Sequence, residues 1–108
     1  MNDRELLELA AKAAKAAGLD LKPHPNRSIS KDLQFICNGS NWNPLSDDGD
    51  ALRLAVKLAI EISPCPEHDS VMCEPKGSPD SIITTEALDD YGTRRAIVRA
   101  AAAIGKSL

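Results

Sequence analysis

Apolar side chains recur at helical spacing near the start of the chain. Across residues 4–17 they return every three or four positions, at Leu6, Leu9, Ala10, Ala13 and Ala17. This period predicts an amphipathic helix. Asn2 or Asp3 can cap its start, and Gly18 can end it because glycine adopts the left-handed conformation without strain.

The central stretch, residues 41–62, has the best-defined helix start. Ser46 can act as the N-cap, and the aspartates after it suit the positive end of the helix dipole. The apolar positions beyond the cap are Leu52, Leu54, Ala55, Val56, Leu58, Ala59 and Ile62, with Arg53, Lys57 and Glu61 on the opposite side. Because this apolar surface is wider than one stripe, it predicts a largely buried helix. Pro44 keeps the approach of Trp42 to the helix rigid.

A last helix is predicted over residues 91–104. Asp89 or Asp90 can cap it, and Gly105 can stop it. The apolar side chains of this helix face the core. Three arginines lie off that face: Arg94, Arg95 and Arg99.

Short β-branched and apolar runs between the helices predict strands. They cover residues 19–22, 33–37, 60–63 and 70–74, with 82–86 as a further strand or extended chain, and loops at 23–31 and 75–80. The order is α-β-β-α-β-β-α, and the connections are too short for parallel crossovers. We therefore expect one α+β domain, a small α/β sandwich over residues 1–108, in which three helices cover an antiparallel sheet of about four strands.

Composition and charge limit the function. The 108 residues suffice for a single core, and the net charge of −3 argues against a general nucleic-acid binder. No apolar run approaches the roughly 18 to 20 residues of a membrane span. The first residues also lack the layout of a signal peptide. We expect a cytoplasmic protein with no membrane partner and no sequence-specific nucleic-acid partner.

Cys65, His68 and Cys73 form a C-x2-H-x4-C spacing, for which Cys37 or His24 is available as a fourth zinc ligand. Structural zinc sites usually contain a tight C-x2-C half, which this set lacks, so buried or reduced thiols are favoured. No nucleophile with a base and an orienting group stands out either. We therefore expect no catalytic residue, no metal and no cofactor.

Six polar or aromatic residues are candidates for binding a ligand or partner. They are Asn41, Trp42, Asn43, Arg94, Arg95 and Arg99. An indole with flanking amides can stack on and hydrogen-bond a base, and guanidinium groups can bind phosphate or carboxylate. The structural alternatives are core packing for the indole and surface ion pairs for the arginines, and we give both more weight.

Three segments together resemble a group of small proteins encoded in tailed phages and prophages. They are E-L-L-E-L-A-A-K-A-A at the start, W-N-P-L-S-D-D-G-D-A-L-R-L-A-V-K-L in the middle and T-R-R-A-I-V-R-A-A-A-A-I-G near the end. The order of helices and hairpins is similar to that of the phage ABA sandwich domain, a small α/β sandwich of unassigned activity. No catalytic residue follows from this resemblance.

The resemblance implies a phage accessory protein that acts without catalysis, by stoichiometric binding of a host defence protein. A looser likeness, to small phage proteins that capture nucleotide immune signals, implies a nucleotide sponge as an alternative; here Leu45 separates Pro44 from Ser46. A sponge would be a homodimer or a higher oligomer. The remaining alternative is a small metal-assisted hydrolase.

Overall fold

The computed structural model describes residues 1–77 and 81–108 and contains three helices and six strands. The helices are α1 (Asp3–Ala16), α2 (Asp48–Lys57) and α3 (Asp90–Lys106). The strands are β1 (Leu21–Pro23), β2 (Phe35–Cys37), β3 (Ser40–Trp42), β4 (Ile60–Cys65), β5 (Ser70–Pro75) and β6 (Thr84–Ala87). The predicted α+β class, with antiparallel pairing and three helices, is confirmed, although the strands form two sheets of three. The part of the predicted 75–80 loop at residues 78–80 lies outside the described residues.

Helix α1 matches its prediction closely. The Asn2 side chain caps it by accepting a hydrogen bond from the backbone N–H of Glu5. Gly18 follows the helix with φ of 102°, a conformation that a residue with a Cβ rarely adopts. The buried face of α1 is made of leucine and alanine, which lets α3 pack closely against it.

Helix α3 begins as predicted but does not end at Gly105. Asp89 is the N-cap, its carboxylate accepting from the backbone N–H of Gly92. The helix continues through Gly105, which is buried and faces the backbone of α1. A Cβ at position 105 would overlap the carbonyl oxygen of Leu9 and lie 2.8 Å from its carbonyl carbon. This glycine therefore serves close helix packing, and the prediction that it stops the helix is wrong.

The start and end of α2 also differ from the prediction. Asp47, not Ser46, caps the helix, because its carboxylate accepts from the backbone N–H of Asp50 at 2.8 Å. The Ser46 hydroxyl instead donates to the carbonyl oxygen of Asn43. The helix ends at Lys57, and Ala59, with φ of 53°, turns the chain into β4. The residues after Ala59 are therefore extended.

The buried face of α2 is narrower than the prediction of a largely buried helix requires. Ala51, Leu54 and Ala55 lie in the core. Leu52 and Val56 point to solvent, with exposed fractions of 58% and 73%. Helix α2 packs on α3 and β4, and these elements leave Leu52 and Val56 mostly exposed.

The first sheet, β1-β2-β3, contains a strand that the sequence analysis did not predict. Asn38 and Gly39 both have positive φ, and this two-residue turn joins β2 to β3. Trp42 ends β3 directly opposite Phe35. The turn thus brings the indole into the core beside the approach to α2.

The second sheet, β4-β5-β6, packs on α3. A short 3-10 helix, Pro66–His68, and Asp69 in the left-handed conformation connect β4 to β5. Val71 and Cys73 of β5 face the helices and are buried. The hydroxyl of Thr84 in β6 donates to the carbonyl oxygen of Ala96, which ties this sheet to α3.

Candidate functional site

The Trp42 side chain is part of the hydrophobic core and presents no exposed ring face for stacking. It is 2% exposed and meets Phe35 edge to face, with ring centroids 6.0 Å apart and planes at 82°. Among residues 1–77 and 81–108, its buried indole N–H has no hydrogen-bond partner. A base cannot stack on a ring that is covered on both faces, so ligand stacking at Trp42 would require the core to open.

The two asparagines beside Trp42 shape the approach to α2. The buried Asn43 donates its backbone N–H to Asp50 Oδ2 at 2.9 Å, and its side-chain oxygen accepts from the N–H of Leu45 at 3.0 Å. Asn41 is exposed, and its amide donates to the carbonyl oxygen of Asp32 at 3.2 Å. Both side chains thus stabilise local backbone in this structure.

Asp50 links this approach to the helix. Its side chain is 12% exposed, and its Oδ1 accepts a 2.8 Å hydrogen bond from the guanidinium of Arg53. Its Oδ2 holds the N–H of Asn43. Because one carboxylate satisfies donors from a strand end and from a helix, it fixes where the chain enters α2.

Each candidate arginine is paired with a carboxylate. Arg94 contacts Asp48 at 2.7 Å and also donates to the carbonyl oxygen of Leu45 at 2.9 Å. Arg95 contacts Asp3 at 2.9 Å, and this hydrogen bond raises the pKa of the Arg95 guanidinium. The ion pairs of all three arginines join segments that are separate in the chain.

Arg99 connects α3 to β6. Its Nη1 lies 2.6 Å from Glu86 Oε2 and 3.2 Å from the carbonyl oxygen of Thr85. The guanidinium therefore anchors the edge strand of the second sheet. Its remaining N–H groups are available for another acceptor, because a guanidinium carries five donors.

The six candidate residues do not converge on one pocket. Trp42 and Asn41 line a cleft of about 470 Å³ between the first sheet and α2. Asn43 and Arg95 line another, of about 160 Å³. Arg94 lies in a groove between α2 and α3, while Arg95 and Arg99 share a groove on another side of α3. Of the three arginines, Arg95 and Arg99 share a groove and Arg94 lies in a different one.

The cysteine and histidine set is also dispersed. All three cysteines are free thiols; Cys73 is in the core, and burial raises its pKa to about 11. His68 is exposed on the 3-10 helix, and Cys65 ends β4 opposite Ser70. Within the part of the chain that the structure describes, no three His, Cys, Asp or Glu side chains could hold one metal ion.

One candidate surface was not predicted. We call it the α2 face: the exposed Leu52 and Val56 together with the adjoining groove of about 260 Å³, whose apolar walls include Ala51, Ile62 and Ile97. Asp48 and Asp90 lie at its polar end. The sequence contained a signal for this surface, since Leu52 and Val56 are one helical turn apart. It was not recognised because α2 also has apolar residues on its other side, and all of them were assigned to one buried surface.

A second surface was predicted in part. We call it the α3 groove, a depression of about 540 Å³ along α3. The groove is lined by three cationic side chains of α3, Arg95, Arg99 and Lys106. Apolar residues of other segments also line it, namely Leu6, Ile82 and Ile83. Lys106 was missed because Gly105 was predicted to end the helix.

Comparison of the chain with models of known protein families, with curated proteins and with solved structures finds no match. No helix among the described residues is long and apolar enough to cross a membrane.

Proposed function

We propose that this protein is a non-enzymatic phage accessory protein that antagonises host defence by binding a defence protein stoichiometrically in the cytoplasm of the infected cell. The proposal takes its biological setting from the sequence resemblance to small phage proteins. Its physical support is a surface suited to a protein partner.

The α2 face carries the proposal. Helix α2 presents two aliphatic side chains to solvent, Leu52 and Val56, and neither belongs to the buried core. Exposed apolar side chains beside an apolar groove are typical of protein-binding surfaces. Covering one such side chain completely contributes about 1.5 to 3 kcal/mol, so Leu52 and Val56 can act as anchors of an interface.

Charged groups surround this apolar surface. The Asp48–Arg94 ion pair and Asp90 lie at one end of the groove, and Arg53 and Lys57 are exposed farther along α2. An apolar centre with a charged rim is the usual arrangement of a specific interface, in which rim charges select the partner.

The two alternatives have less support from the geometry. A nucleotide sponge would use Trp42 and the arginines in one pocket, but they line separate clefts and the indole is buried. A metal-assisted hydrolase would need a set of metal ligands, and the described residues offer no such group. Binding of a protein requires neither arrangement.

The proposal is tested in bacteria that each carry one defence system. Expression of the wild-type protein should restore plating of a restricted phage in at least one strain, and Val56→Glu and Leu52→Glu should abolish that rescue. Purified protein should then form a complex of fixed stoichiometry with a component of that system, measured by native mass spectrometry.

Ile29→Glu is the matched control, because Ile29 is, like Leu52 and Val56, an exposed aliphatic residue, 76% accessible, but lies in the loop between β1 and β2. It should retain rescue and complex formation. Rescue that survives both α2 substitutions would reject the α2 face. Turnover of a nucleotide or release of a bound one from the purified protein would reject stoichiometric protein binding in favour of an alternative.

A further inference from the structure

We infer that the α3 groove binds an extended, acidic peptide segment that also carries apolar side chains. This surface lies on a different side of α3 from the α2 face, and its test does not depend on the proposed function. The inference rests on the charge of the groove, on its length and on its apolar wall.

The charge of the groove favours an anionic partner. Arg95, Arg99 and Lys106 line it, and no carboxylate of the described residues does so. Asp3 and Glu86 are not among the lining residues, but each forms an ion pair with one arginine through a single nitrogen, at 2.9 Å for Asp3 and 2.6 Å for Glu86, which leaves Lys106 as the lining side chain with no ion pair among the described residues. The two guanidinium groups are therefore fixed in place, with other N–H donors left for carboxylates of a partner.

The spacing of the cations requires a long ligand. Residues 95, 99 and 106 follow one another along α3, and at 1.5 Å per residue they span roughly 16 Å. An isolated phosphate or carboxylate can reach one or two of these cations. An extended peptide covers this distance with about five residues, so acidic side chains at intervals can meet all three positions.

The apolar residues that line the groove favour a peptide over a nucleic acid as its ligand. Ile82 and Ile83 provide apolar surface, and Ile83 is 53% exposed, whereas Leu6, which also lines the groove, is a buried core residue. No aromatic side chain of the described residues lines the groove, whereas strand binding without sequence preference relies on stacking of bases on aromatic rings. Aliphatic residues next to cations instead match a peptide with alternating acidic and apolar side chains.

The experiment measures fluorescence anisotropy with a labelled ten-residue peptide of alternating Glu and Leu. We expect saturable binding by the wild-type protein and roughly fivefold weaker binding by Lys106→Glu, with a further loss in the Arg99→Gln/Lys106→Glu double variant. Lys22→Glu is the matched control, because Lys22 is exposed on β1 and the charge change is the same; it should bind like wild type.

Two further probes decide the chemistry of the ligand. A peptide of alternating Lys and Leu and a ten-nucleotide single-stranded DNA should each bind much more weakly than the acidic peptide. Amide chemical shifts in NMR spectra should change at Ile83, Ala102 and Ala103 when the acidic peptide is added. Three results would overturn the inference: an affinity for either of these two probes equal to that for the acidic peptide, equal binding of the acidic peptide by Lys106→Glu and Lys22→Glu, or shift changes centred on α2.

Discussion

Helices α2 and α3 are both capped by an aspartate, but their apolar residues have opposite roles. In α3 the apolar residues are mostly alanine, and they are buried against α1 and the second sheet. In α2 the buried face is short, and two of its larger aliphatic residues are on the solvent side. The aliphatic side chains of α3 are therefore covered by two neighbouring elements, whereas Leu52 and Val56 of α2 are mostly exposed.

The comparison shows where the fold leaves residues free for another purpose. Small residues in α3 allow neighbouring backbones to approach closely, so a single added methyl group is costly. Leu52 and Val56 make no comparable contribution to the core of the described structure. An aliphatic residue that the fold does not require is a better candidate for partner binding than a buried tryptophan.

The largest expected effect is that of Gly105→Ala in α3. The new Cβ would overlap the carbonyl oxygen of Leu9, so α1 and α3 must separate. We expect a loss of about 3 kcal/mol in the free energy of unfolding, measured by urea denaturation followed by circular dichroism. Gly49→Ala is the control: its Cβ would meet only the side-chain ends of Arg53 and Asp47, at 3.2 Å. Equal stability of the two variants would show that the α1–α3 contact is looser than described.

An intermediate effect is expected at the buried side of α2. Asp50→Asn preserves shape but replaces one acceptor oxygen by a donor, which then faces either the N–H of Asn43 or the Arg53 guanidinium. The expected cost is about 1 to 3 kcal/mol in the free energy of unfolding, because a buried donor loses its acceptor. Arg53→Gln should cost much less, since that side chain is mostly exposed. A larger effect of Arg53→Gln would mean that the ion pair, not the buried hydrogen bond, holds the helix start.

The smallest effect on stability is expected at the solvent side of α2. Leu52→Glu and Val56→Glu should each change the free energy of unfolding by no more than about 0.5 kcal/mol. Thermal unfolding measured by circular dichroism gives the comparison with wild type. Strong destabilisation by either substitution would mean that these residues belong to the core, and would remove the α2 face as a candidate interface.

Labelling of the thiols adds a check on the core. Burial raises the pKa of Cys73 to about 11, so this thiol stays protonated and unreactive at pH 8. Iodoacetamide should therefore label Cys37 and Cys65, which are half-buried, before Cys73, with the order read by mass spectrometry. In urea all three should react at similar rates. Early labelling of Cys73 in the native protein would show that the second sheet opens readily.

The prediction from sequence succeeded where the signal was local. Asn2 and Asp89 were each named as one of two candidate caps, and Gly18 was identified as the glycine after α1, because each of these signals depends on a few neighbouring residues. It failed at Ser46 and Gly105. Asp47 is as good a cap as Ser46, and a glycine late in a helix has the same appearance whether it ends the helix or touches another backbone.

The candidate site was predicted less well than the fold. Trp42 and the arginines were candidates because of their chemistry, but the alternatives that were given more weight hold: the indole is in the core and each arginine is in an ion pair. The exposed Leu52 and Val56 were assigned to a buried face. The error at Leu52 and Val56 arose because periodicity shows that residues share a face but not which face another element covers.

The sequence by itself determined the three helices, the caps of α1 and α3 to one of two residues each, the α+β class and the antiparallel pairing, because caps, turns and periodicity act over a few residues. Only the tertiary structure decided that β3 joins a separate sheet, that Gly105 serves α1–α3 packing and that α2 exposes two aliphatic residues. Each of these depends on contacts between segments far apart in the chain. The free energy of such contacts comes from burial and close packing, which local residue preferences do not specify.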